Sequence, residues 1–110
     1  MEKLYNNARQ SYITFYEKGY LRLPAKVKRI IEEKTGAVAT DVYIDKKHRQ
    51  IVLVPTNHGD YTLSIDRSSM MVCLYGARDC GIEPGKHDYK LIEGEDGLQL
   101  KIGFRAIRSA

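Results

Sequence analysis

The side chains with the widest chemical range in this 110-residue chain are two cysteines, Cys73 and Cys80, and three histidines, His48, His58 and His87. Their spacing limits what they can do together. Two cysteines are too few for a disulfide framework or a four-cysteine zinc site, and the histidines form no helical pair. Cys73 can be drawn with His58 and Asp60 as a thiol, imidazole and carboxylate set, but no nucleophile elbow surrounds it. The acidic "GEDG" at 94–97 lacks the length and ligand spacing of a calcium loop. "EPGKHD" at 83–88 lacks the G-x-x-x-x-G-K-[ST] spacing of a phosphate loop. The expectation is a protein without a metal, a cofactor or an enzymatic activity.

The cations say more. Residues 1–50 carry 11 Lys+Arg against 6 Asp+Glu, and residues 51–110 carry 7 against 8, so the whole excess of the +4 net charge lies in the first half. A basic half beside a neutral half sets up a directed field, and nucleic acid is the usual partner of such a field. Within "EKGYLRLPAKVKRIIEEKTG" (17–36), Lys26, Lys28 and Arg29 gather just after Pro24. A second group, Lys46, Lys47 and Arg49, lies in "DKKHRQ". Such side chains suit phosphate contacts, which supply affinity without sequence information. Arg22 is the candidate base contact, because arginine pairs bidentately with guanine in the major groove. Tyr20 is placed to pack on sugar or to hydrogen-bond a phosphate.

The elements that must position these residues follow from periodicity. "SYITFY" alternates, with Ile13 and Phe15 on one face, and reads as a strand. "YLRL" continues the alternation, with Leu21 and Leu23 inward and Tyr20 and Arg22 outward. Pro24 suits the first turn of a helix. Val27, Ile30 and Ile31 make its apolar stripe, and Gly36 can end it. Lys26, Lys28 and Arg29 lie off that stripe at the helix end where the macrodipole disfavours cations, a misfit that an anion would relieve. "DVYI" and "QIVLV" read as a hairpin, "TNHGD" as a turn, and "YTLSI" and "SSMMVC" as strands. "ARDCGI" reads as a short helical turn and "EPGK" as a turn. "DYKLIE" and "LQLKI" form a second hairpin around "GEDG". The tail "GFRAIRSA" frays unless Phe104 and Ile107 dock. The order strand, strand, helix, hairpin thus occurs twice; "FYEKGYLRL" aligns with "IDRSSMMVC" when Phe15 is set against Ile65 at an offset of 50.

"KGYLRLPAKVKRI" resembles the AbrB/SpoVT/MraZ superfamily of swapped-hairpin, looped-hinge DNA-binding proteins, whose signature runs glycine, strand, proline and basic helix, then glycine and a hairpin ending in proline. The landmarks are Gly19, Pro24, Lys28 or Arg29, Gly36 and the "IVLVP" that ends at Pro55. "GIEPGKHDYKLIEGEDGLQLKI" is similar to the helix exit and closing hairpin of that family, with Gly81, Pro84 and Gly85 at the turn. Tyr20 stands where the family usually has arginine, and the second copy has Ser69 and Leu74 in place of the glycine and proline. The resemblance implies one α+β, mostly β domain over 1–110. It would be a small swapped-hairpin barrel of two strand–strand–helix–hairpin repeats, at 12–56 and, in degenerate form, at 62–102. A single such unit of about fifty residues cannot close a core alone, which fits two copies in one chain.

The implied function is a transcriptional regulator that contacts double-stranded DNA through Tyr20, Arg22, Lys26, Lys28, Arg29, Lys46, Lys47 and Arg49. The competing expectation is a non-enzymatic adaptor or antitoxin-like module with a protein partner, from a mobile element or phage. Pairing of two chains stays open. No run approaches the ~18 apolar residues of a membrane helix, and "MEKLYNNARQ" has no apolar signal core, so the expected location is the cytoplasm.

Overall fold

Ile13 and Phe15 sit two residues apart and fall on one side of an extended segment, so a strand buries both at once. The computed structural model, which describes residues 12–74, 81–95 and 97–107, realises that alternation in this segment. Its elements are β1 (Ile13–Phe15), β2 (Tyr20–Leu23), α1 (Ala25–Lys34), β3 (Ala39–Asp45), β4 (Gln50–Pro55) and β5 (Tyr61–Thr62). They continue with β6 (Ser64–Asp66), β7 (Ser69–Cys73), β8 (Gly85–His87), β9 (Tyr89–Gly94) and β10 (Gly97–Gly103). The ten strands form two antiparallel sheets, in the orders β6-β7-β2-β1-β8 and β5-β3-β4-β10-β9.

Each sheet sets a hairpin of the first half against a hairpin of the second. In the first sheet β2 meets β7, with Leu21 opposite Val72 and Leu23 opposite Met70. In the second sheet β4 meets β10, with Leu53 opposite Leu100 and Ile51 opposite Ile102. The inward rows of both sheets share one core with Val27 and Ile31 of α1. Burial of each such aliphatic side chain contributes about 1.5–3 kcal/mol.

The expected closed barrel is not what forms. Among the described residues, β6 and β8 end one sheet and β5 and β9 end the other. The sheets are joined at corners instead. β5 and β6 are separated by Leu63 alone, and β8 and β9 by Asp88 alone, yet the members of each pair lie in different sheets. Leu63 is buried and donates its N–H to the Val38 carbonyl at 2.9 Å, so the expected single strand "YTLSI" breaks at this corner.

Two further expectations are corrected. "EPGK" is not only a turn: Gly85–His87 pair with β1, Ile13 facing His87 and Thr14 facing Lys86. The offset of 50 also fails past the first turn. It sets Leu21 and Leu23 against Met71 and Cys73, which are half-buried, whereas the buried residues of β7 are Met70 and Val72. The cause is turn length. β1 and β2 are joined around Glu17–Gly19, with Tyr16 N–H on the Tyr20 carbonyl at 2.8 Å and Gly19 at φ 101°. β6 and β7 are joined by Arg67 and Ser68 alone, since Asp66 pairs with Ser69. One residue fewer flips the faces of everything that follows.

The helical turn expected at 77–82 falls mostly outside the described residues, as do Cys80 and the last three residues of the tail. Of the tail, Phe104 is buried and Ile107 donates its N–H to the Lys86 carbonyl at 2.7 Å. No helix among the described residues is long and apolar enough to cross a membrane.

Candidate nucleic-acid interface

β2 carries its two candidate residues outward because Leu21 and Leu23 are committed to the core. Arg22 lies at the centre of a row that crosses the whole sheet: Lys86 of β8, Thr14 of β1, Arg22 of β2, Met71 of β7 and Ser64 of β6 are directly opposite in turn. Tyr12, Thr14 and Tyr16 share the outer side of the β1 segment by alternation, and Tyr16 pairs with Tyr20 across the turn. The Lys86 ammonium stands 5.7 Å from the centre of the Tyr12 ring, a cation–π contact across the two halves of the chain. The face is therefore one of tyrosines, Arg22 and Lys86.

Arg22 is engaged within the protein. Its Nε donates to Ser69 Oγ at 3.1 Å, and Nη2 lies 3.8 Å from Asp66 Oδ2. With Arg22 and Asp66 side chains 42% and 53% exposed, that ion pair is weak and open to exchange for another anion.

α1 begins two residues after Arg22's neighbour Leu23. Pro24 occupies the cap position, and no side chain caps the helix. Its first turn holds no acidic residue. Lys26 and Arg29 are exposed, while Lys28 is drawn to Glu32, one turn on, at 2.9 Å. The N–H groups of the helix end, its positive dipole end and two cations with no ion pair among the described residues thus coincide. At the other end Thr35 Oγ1 donates to the Ile31 carbonyl at 2.7 Å, Gly36 turns at φ 62°, and Lys34 lies 3.6 Å from Glu93.

The third group stands apart. Lys46, Lys47 and Arg49 occupy the β3–β4 turn at one end of the other sheet, and no hydrogen bond or ion pair among the described residues joins them to α1. Asp45 organises this turn. Its Oδ1 accepts the His48 backbone N–H at 3.2 Å, and its Oδ2 lies 2.7 Å from His48 Nδ1 and 3.2 Å from Gln50 Nε2. The bond from the His48 side chain, with smaller help from its backbone, holds the Asp45 carboxyl below its ordinary value of 3.8. A depressed carboxyl supports the turn above its unfolded-state value and loses that support as pH falls through the folded one. In a carboxyl-carbon NMR titration the Asp45 midpoint should lie below 3.8 and move upward in His48→Ala. An unmoved midpoint would remove His48 as the cause.

Arg49 closes the turn at φ 52° and Arg67 the β6–β7 turn at φ 54°, left-handed positions that a glycine would fill more easily. Lys86 escaped the sequence reading because it belongs to the neutral half and to a segment read as a turn. Only the β1·β8 register brings it to Thr14.

The other chemistry stays dispersed. The backbone N–H of Asp60 goes to Asp41 and that of His58 to Thr56, and no hydrogen bond among the described residues links either to Cys73, which is a free thiol. No group of three or more His, Cys, Asp or Glu among the described residues is arranged to hold a metal ion. Comparison with protein-family models, with curated proteins and with solved structures finds no match to this chain.

Proposed function

We propose that this protein is a cytoplasmic DNA-binding regulator of the AbrB/SpoVT/MraZ kind. In this reading its two degenerate repeats, 12–56 and 62–102, pair within one chain, and the first contacts duplex DNA. The observation that carries the reading is the coincidence at the start of α1: an uncapped, carboxylate-free helix end with exposed Lys26 and Arg29, beside the outer row that holds Arg22. The repeat assignment is supported by the sheet orders, in which β1–β2 adjoins β6–β7 and β3–β4 adjoins β9–β10. Phosphates replace Glu32 and Asp66 as partners of Lys28 and Arg22 when DNA docks, and Tyr20 and Lys86 extend the contact along the sheet. Lys46, Lys47 and Arg49 lie on the other sheet's turn and add at most a peripheral contact.

Fluorescence anisotropy of a labelled duplex tests this. Wild type should bind, and its affinity should fall steeply with salt. Lys26/Lys28/Arg29→Ala should bind far more weakly, with a salt slope reduced by about 3, since each phosphate contact contributes about 0.9 to that slope. A folded triple variant that matches wild type at both salt concentrations would end the DNA reading. The adaptor reading would then lead, on the strength of Ile65, which is 63% exposed on the sheet-end strand β6.

A further inference from the structure

A further group of cations with no ion pair among the described residues lies on the second sheet. On its outer side Tyr43, Val52, Lys101 and Lys90 are directly opposite one another across β3, β4, β10 and β9. Lys90 and Lys101 are therefore like charges facing across a strand pair, an arrangement that destabilises a sheet when nothing lies between them. Lys101 is half-buried, which limits the relief that water can give. Both lysines line an open groove of about 740 Å³, and Arg105 of the tail lines it with them. Asp88 is the carboxylate in its lining. Among the described residues, none of the three cations forms a hydrogen bond or an ion pair. Ala106 and Ile107 add apolar wall, and Ile107 is 40% exposed. That wall is held in place by the Ile107 N–H bond to the Lys86 carbonyl. Gly103 and Arg105 also line a neighbouring depression with Arg49, so the cation of the β3–β4 turn borders the same end of the sheet.

We propose that this groove binds a phosphate-bearing small molecule. The phosphate lies between Lys90, Lys101 and Arg105, and the rest of the ligand lies along Ile107. A doubly charged oxyanion offsets the repulsion of the facing lysines and matches the fork of Arg105. The apolar wall favours an organic phosphate over the inorganic ion. The site is separate from the α1 cluster and does not depend on the DNA reading.

Phenyl phosphate and inorganic phosphate serve as probes, each titrated into isotope-labelled protein and followed by amide NMR. Saturable shifts should centre on residues 88–90, 101 and 105–107, with phenyl phosphate the tighter of the two. Lys101→Glu should weaken binding about tenfold or more, the size expected for a lost charge-assisted contact. The same substitution turns a like pair into an opposite pair, so the melting temperature should hold or rise. Lys90→Gln, at an exposed position, should reproduce the loss of binding if Lys101→Glu folds poorly. Duplex DNA binding should be unaltered by Lys101→Glu, and phosphate binding unaltered by Lys26/Lys28/Arg29→Ala. No saturation by about 10 mM phenyl phosphate, or equal affinity in wild type and Lys90→Gln, would overturn the proposal.

Discussion

Gly59→Ala should destabilise the fold by about 3 kcal/mol or more, enough to unfold a domain of this size under mild conditions. Gly59 lies in the turn between β4 and β5, where its N–H reaches the Thr56 carbonyl at 3.1 Å. A Cβ on it would fall on the backbone of Thr40, 2.6 Å from the nitrogen and closer still to the carbonyl carbon. Thr40 is fully buried in β3 and cannot retreat. The turn itself is tied down at several points. Val38 N–H goes to Asn57 Oδ1 at 3.1 Å, Thr56 N–H to the Ala39 carbonyl at 3.0 Å, and Asp60 N–H to Asp41 Oδ1 at 3.2 Å. Either the turn lifts off or β3 moves, and both uncouple β5 from the sheet. Urea denaturation measures the cost. Gly94→Ala is the control, because nothing lies within 4 Å of its added Cβ; its effect should stay under about 1 kcal/mol. Equal stability of Gly59→Ala and Gly94→Ala would contradict this packing of the turn on β3.

His87→Phe should cost about 2–4 kcal/mol, although it keeps an aromatic ring in an apolar setting. His87 is fully buried on β8 opposite Ile13. Its Nδ1 lies 2.8 Å from the Gly103 carbonyl oxygen and its Nε2 lies 2.7 Å from that of Glu83. Both partners only accept, so the ring donates to the carbonyl that faces its N–H. Phenylalanine serves neither and leaves two carbonyls facing hydrocarbon. The loss has a functional reading as well. The ring ties β8 to the end of β10, and β8 carries Lys86 to its place beside Tyr12 and Thr14. Amide exchange should therefore quicken at 85–87 and 103–104 before it does at β3 and β4. His87→Gln, which retains a donor, should recover part of the stability. A phenylalanine variant with wild-type stability and exchange would show that these two bonds add nothing to the fold.

Much of this architecture was legible where a residue's face is decided locally. The two-residue spacing of Ile13 and Phe15, and of Leu21 and Leu23, gave β1 and β2 their inward sides, and Pro24 before Val27, Ile30 and Ile31 announced α1. The β3–β4 and β9–β10 hairpins followed from alternation interrupted by polar turns. What escaped depends on partners distant in sequence. Gly85–His87 has no apolar alternation, and it is extended because β1 lies beside it. The corners at Leu63 and Asp88 arise from which sheet each neighbouring strand joins, and a pattern of alternation carries no sheet label. A single missing turn residue between β6 and β7 was enough to shift the inward set from Met71 and Cys73 to Met70 and Val72. The same holds for the candidate sites. Lys26, Lys28 and Arg29 were visible as a cluster because they share one helix. Lys90, Lys101 and Arg105 are neighbours only through the β9–β10 register and the return of the tail.

The exchange of partners between the halves also sets a timetable. β2 finds its outer neighbour in β7, β4 in β10, and β1 in β8, so each of these pairings waits for chain that is made much later. Until the second half is made, the strand edges that these pairings use lack their partners, and Leu21, Leu53 and Ile51 lack the residues that face them in the fold. Non-local pairing of this kind slows folding and lengthens the interval in which a strand can add to the wrong chain. The first half is thus the stretch most open to mispairing, and the arrival of β10 completes its set of partners.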